Sequence, residues 1–82
     1  MTNSLIKITV DKKTFVTETL KQIRTEIKIY TAETLLFERR AELFCLVRNV
    51  CLTDFTETLK RLSRKYSTKI NYTAVDDIYT SS

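Results

Sequence analysis

Few side chains in this sequence could carry covalent chemistry. Histidine, glycine and proline are all absent. Without histidine there is no Cys/His zinc site, no metalloprotease helix and no Ser-His-Asp or Cys-His pair. Without glycine the backbone cannot cradle a phosphate as a P-loop or dinucleotide turn does, because a Cβ stands in the way. Carboxylates and lysines are present, but no clustered constellation of them stands out. The expectation is a protein that is not an enzyme, with no cofactor and no metal. The two thiols, Cys45 and Cys51, fall in one apolar stretch. In a helix they would stand about 9 Å apart along the axis and about 240° apart around it, beyond the roughly 7 Å Cα limit for a bridge. They read as buried thiols packed as small hydrophobes, which points to a reducing cytoplasm.

With catalysis set aside, the residues of interest are those that could bind. The stretch Thr31 to Leu52, TAETLLFERRAELFCLVRNVCL, is more than half apolar. On a helical wheel Leu36, Leu43, Val47, Val50, Phe44, Phe37 and Cys51 fill one broad arc, the expected core face. Leu35 and Leu46 lie outside it, among Arg39, Glu42 and Asn49. Two leucines framed by charges have the form of a small docking site for another protein, unless another part of the chain covers them. Arg40 falls within the core arc, where its charge must snorkel out, pair with a carboxylate or lie at a subunit interface. A second binding candidate is the basic run Lys60, Arg61, Arg64 and Lys65, with Lys69 just beyond. It could contact an anionic surface such as nucleic acid, or simply complement the C-terminal end of a helix dipole.

The elements that would position these residues follow from periodicity. Ile6, Ile8 and Val10 alternate with Lys7 and Thr9, the period of a half-buried strand. Asp11 offers an N-cap, and Val16, Leu20, Ile23, Ile27 and Tyr30 then recur at helical spacing, with Glu18, Lys21, Gln22, Thr25 and Glu26 on a solvated side. Thr31 could cap a second helix starting at Ala32, although one continuous helix from Lys12 to Leu52 is the alternative. Asp54 with Glu57 resembles a capping box ahead of a third stripe, Phe55, Leu59, Leu62 and Tyr66. Ile70, Tyr72 and Ala74 suggest a last strand, and residues 76–82 read as a loose polar tail. The fold expected is therefore mainly α with short terminal strands, a β-α-α-α-β single small helical domain spanning residues 1–82. The two strands could pair within one chain or across a dimer.

Composition bounds the rest. The chain has 82 residues, 43% hydrophobic and 29% charged, with a net charge of +4 and a pI near 9.2. That describes one small folded domain, in the size range where oligomerisation is a common aid to stability. No apolar run is long enough to span a membrane and no signal peptide is visible.

Two resemblances bear on function. Strand, helix, helix from Leu5 to about Cys51 resembles the ribbon-helix-helix repressors, which would imply a dimeric DNA-binding transcriptional regulator reading bases with Leu5, Lys7 and Thr9. The chain departs from them in having no glycine between the helices, a third helix, and only one cation on the ribbon. In length and character, a Lys-, Ile- and Thr-rich chain starting MTNSLIKITV and lacking His, Gly and Pro resembles the small accessory proteins of T-even-type phages, in particular the cytoplasmic antiholins. That resemblance implies lysis inhibition in the host cytoplasm through binding the cytoplasmic part of a holin, and it carries over no individual residues. The leading expectation is thus a viral accessory protein acting by protein-protein interaction, with Leu35, Arg39, Glu42, Leu46 and Asn49 in contact with the partner. The ribbon-helix-helix regulator is the alternative.

Overall fold

The computed structural model describes residues 2–79, and the side chains of residues 2–75. Its elements run β1 (Thr2–Val10), α1 (Val16–Ile27), β2 (Thr31–Phe37), β3 (Glu42–Arg48), α2 (Leu52–Lys65) and β4 (Ile70–Tyr79), with short 3-10 turns at Lys28–Tyr30, Glu38–Arg40 and Asn49–Cys51. The four strands form one antiparallel sheet in the order β2-β3-β1-β4. This β-α-β-β-α-β order, with the first and third strands at the centre, is the split β-α-β arrangement.

The expected β-α-α-α-β, mainly helical layout is therefore incorrect, and the error lies in the central stretch. Thr31 to Arg48 is a β-hairpin, in which Leu36 stands opposite Leu43 and Phe37 opposite Glu42. Neither the second helix nor the continuous Lys12–Leu52 helix exists. The hairpin reverses through Glu38–Arg40 and is closed by Ala41 in the left-handed region, φ 52° and ψ 48°. Arg40 is exposed in that turn, so the core-face anomaly assigned to it disappears with the helix. The ribbon-helix-helix fold expected as the alternative is incorrect for a related reason: β1 is hydrogen-bonded on both edges, by β3 and β4, and has no free edge to offer a second ribbon. Of the expected tail, residues 76–79 belong to β4, and residues 80–82 lie outside the described residues.

Alternation explains the layering. Ile6, Ile8 and Val10 on β1 and Leu43, Cys45 and Val47 on β3 all point to one side of the sheet, since side chains two apart share a face. On that side they meet Leu20, Ile23 and Ile27 of α1 and Phe55, Leu59 and Leu62 of α2, each on the buried stripe of its helix. Both helices thus cover the same face. Each fully buried Leu, Ile or Phe contributes about 1.5–3 kcal/mol by leaving water, so this single layer of contacts supplies most of the stability.

The helix ends are set by tertiary contacts. Asp11 does not cap α1; its N–H donates to the Lys69 carbonyl at 3.0 Å and its carbonyl accepts from Thr68 Oγ1 at 3.2 Å. The helix instead starts after Phe15, held left-handed at φ 54° and ψ 34°. The Phe15 carbonyl accepts both the N–H and the hydroxyl of buried Thr19, at 3.0 and 2.9 Å. α2 starts at Leu52, with Asp54 in its first turn, where a carboxylate favours the positive end of the helix dipole.

Candidate functional site

The other face of the sheet carries no helix. Its residues are Leu5, Lys7 and Thr9 on β1, Glu42, Phe44, Leu46 and Arg48 on β3, and Glu33, Leu35 and Phe37 on β2, placed together by the registers Leu5 with Leu46, Lys7 with Phe44, Leu35 with Phe44 and Glu33 with Leu46. A solvated antiparallel face is ordinarily polar. This one is apolar at its centre. Leu5, Leu35, Phe37, Phe44 and Leu46 line a cleft of about 450 Å³, with Glu33 and Thr34 at its margin. Leu35 is 56% and Phe37 44% exposed, so the patch faces solvent at the β2 edge.

Within the cleft Phe37 and Phe44 meet edge to face, with ring centroids 5.5 Å apart and planes at 87°. That geometry favours the pair and fixes both rings. Three of the charged groups on the face, Lys7, Glu42 and Arg48, are engaged within the chain. Lys7 Nζ lies 3.6 Å from Glu42 Oε2, and the Arg48 guanidinium donates to the Ile29 carbonyl. The result is an apolar centre beside one ion pair, Lys7 with Glu42, while Arg48 and Glu33 have no ion-pair partner among the described residues.

The expected site residues are divided by this geometry. Leu35 and Leu46 stand on neighbouring strands and both line the cleft, and Glu42 shares their face. Arg39 is exposed in the hairpin turn at one end of the sheet, and Asn49 lies beyond β3 at the other, where its side-chain oxygen accepts from Ser4 Oγ at 2.7 Å. Neither joins the cleft. Phe37 and Phe44, assigned to a helical core, are instead its aromatic wall, and Leu5 is its floor on β1. Only Leu5 carried a period-two signal, in the alternation of Ile6 and Ile8 with Lys7; the run Leu43-Phe44-Cys45-Leu46-Val47 is apolar throughout and marks neither face.

The basic run behaves as a solvated helix side. Arg61 and Lys65 approach the carboxylate of Glu26 on α1, at 4.0 and 3.9 Å, and Lys65 also lies 5.5 Å from the Tyr66 ring centre. Lys60 and Arg64 flank a small cleft with Leu59, Ser63, Ile70 and Tyr72, on the helical side and apart from the apolar cleft.

Both cysteines are free. Burial pushes the Cys45 thiol up to about 12, because the core cannot solvate a thiolate. It is a packing group and a poor nucleophile. Cys51, in the turn before α2, is only partly buried. Among the described residues no group of three His, Cys, Asp or Glu side chains is placed to hold a metal, and no helix is long and apolar enough to cross a membrane. No family model, curated protein or solved structure matches the chain.

Proposed function

We infer that this is a non-enzymatic binding protein that takes a segment of another protein onto the open face of its sheet. The observation that carries this reading is the cleft of about 450 Å³ lined by Leu5, Leu35, Phe37, Phe44 and Leu46 on the face without a helix. An exposed apolar patch rimmed by polar groups is what a protein interface requires. A nucleic-acid strand would be served differently, by rings laid flat for stacking and by unpaired cations. Here the Phe44 ring is held edge to face against Phe37, and of the two cations on the face Lys7 is paired with Glu42 and Arg48 is turned to the Ile29 carbonyl.

For the partner, the resemblance in size and character to the cytoplasmic antiholins of T-even-type phages supplies the working identity: the cytoplasmic part of a holin, with delayed lysis of the host as the outcome. Cytoplasmic location and a phage origin belong to this reading. Direct titration of the purified protein against the soluble portion of a holin tests it. Leu35→Asp with Phe44→Ser, checked for folding by circular dichroism, should abolish binding, while Lys60→Gln with Arg64→Gln should leave it intact. Equal affinity in wild type and the Leu35/Phe44 variant would remove the cleft from the interface. Absence of any holin binding by the wild type would remove the holin, and capture of a different protein dependent on the same two residues would retain the face alone.

A further inference from the structure

The connections at the two ends of the sheet differ in charge. The registers Ile8 with Leu43, Phe37 with Glu42 and Val10 with Ile70 bring three of them to one end: residues 11–15, 38–41 and 66–69. They are tied by the Asp11 to Lys69 backbone bond at 3.0 Å and by the hydrogen bond from Asn71 Nδ2 to Asp11 Oδ1 at 3.2 Å. Lys21 Nζ, 3.2 Å from Glu38 Oε1, joins α1 to the hairpin turn. These three connections carry Lys12, Lys13, Arg39, Arg40 and Lys69 against only Asp11 and Glu38. Both acids are engaged, by Asn71 and Lys21. Lys12 donates to Thr19 Oγ1, whereas Lys13, Arg39, Arg40 and Lys69 are exposed and form no ion pair among the described residues. The two connections at the opposite end, residues 28–30 and 49–51, carry between them the single charge of Lys28.

Phe15 belongs to the same basic end. It is 71% exposed, next to Lys12 and Lys13, and it sits in the left-handed region that a β-carbon disfavours. Its backbone is fixed by Thr19, so the ring is held outward while the main chain is anchored. The three positive-φ residues, Phe15, Ala41 and Ser67, all lie in these three connections.

We propose that this end of the molecule is a contact surface for an anionic lipid membrane, with Lys13, Arg39, Arg40 and Lys69 meeting headgroup charge and Phe15 entering the interface. Cations near an anionic leaflet are attracted within a Debye length, and a single aromatic at the tip adds an apolar anchor of the kind that sits at headgroup level. The favoured class is lipid rather than nucleic acid because the apolar group is one ring among loops. The clefts at Leu5 and Leu46, at Tyr30 and Arg61, and at Leu59 and Tyr72 are lined by other residues and provide no groove for a strand beside Phe15. This surface is distinct from the open sheet face and does not depend on the partner reading.

The chain has no tryptophan, so Phe15→Trp places a single reporter at the tip. Vesicles of phosphatidylcholine with about 30% phosphatidylglycerol, at about 150 mM salt, should shift its emission to the blue and sediment the wild-type protein, and pure phosphatidylcholine should do neither. Phe15→Ser, and separately Lys13→Gln with Arg39→Gln, Arg40→Gln and Lys69→Gln, should each lower the bound fraction at least several-fold, with titration against the protein partner unchanged. An unshifted tryptophan, or vesicle binding equal in wild type and either variant, overturns the proposal. So does an oligonucleotide that binds through the same cations while vesicles do not.

Discussion

On β1 and β3, residues one apart in sequence occupy different environments. Ile8 and Leu43 are sealed between sheet and helices, while Lys7 and Phe44, their immediate neighbours, face outward. The covered face is mainly apolar, a small closed core with Ser4, Thr19 and Thr58 as buried polar members. The open face keeps apolar groups at Leu5, Leu35, Phe37, Phe44 and Leu46, where solvation alone would ask for polar ones. The lesson is that the same alternation stabilises the fold on one side and is left unspent on the other, and the unspent side is the one proposed above as the docking face.

The sharpest way to break this comparison is to truncate equivalent rings on the two sides. Phe55→Ala, in the fully buried layer, should cost about 3–5 kcal/mol, a large part of the roughly 5–15 kcal/mol that holds a small domain together. Urea unfolding should show most of the cooperative transition lost. Phe44→Ala, on the open face, should cost about 1–2 kcal/mol, since a ring that is only partly buried surrenders only part of its transfer energy. If its urea midpoint fell as far as that of Phe55→Ala, the open face would be core and the docking reading would fail.

The thiol of Cys45 gives a finer contrast. Its ionisation is raised to about 12 in the folded protein, from an ordinary value of 9.0. The unfolded chain therefore releases this proton first as pH rises, and the stability contributed by keeping the thiol neutral is present below pH 9 and lost between about pH 9 and 12. Wild type should lose stability more steeply over that window than Cys45→Val, by at most about 1.4 kcal/mol per pH unit. Parallel curves would show that burial is not what governs the thiol. Under native conditions iodoacetamide should modify Cys51 well before Cys45.

The smallest effect is expected at the charges of the open face. Lys7→Gln with Glu42→Gln removes a partly exposed pair and should change stability by no more than about 0.5 kcal/mol. A larger loss in thermal unfolding would mean that the pair organises the face.

Much of the outer framework was legible in the sequence. The alternation of Ile6, Ile8 and Val10 and the stripes Leu20-Ile23-Ile27 and Phe55-Leu59-Leu62 mark β1, α1 and α2, because each has one wet and one dry side. The hairpin was not legible, for two physical reasons. β3 is apolar on both faces, so Leu43-Phe44-Cys45-Leu46-Val47 reads as a continuous run that periodicity cannot separate from a buried helix segment. Its turn also lacks the usual punctuation: Ala41 takes the left-handed position that glycine or asparagine normally marks. Leu35 and Leu46 were singled out on a helical wheel and meet instead on adjacent strands, whereas Arg39 and Asn49 had only the wheel to join them. The cleft depends on pairing between β1, β2 and β3, which no local pattern specifies.

The central position of β1 also bears on how the protein is made. This strand precedes both of its partners in the chain, and they begin only at Glu42 and Ile70. Local hairpin and helix formation can proceed in the middle of the chain while Thr2–Val10 waits, because closing such long loops is slow compared with short-range pairing. On the ribosome the sheet cannot be completed until β4 has emerged. Until β3 and β4 are in place the nascent chain exposes Ile6, Ile8 and Val10, and this interval is when chaperones and proteases have access to it.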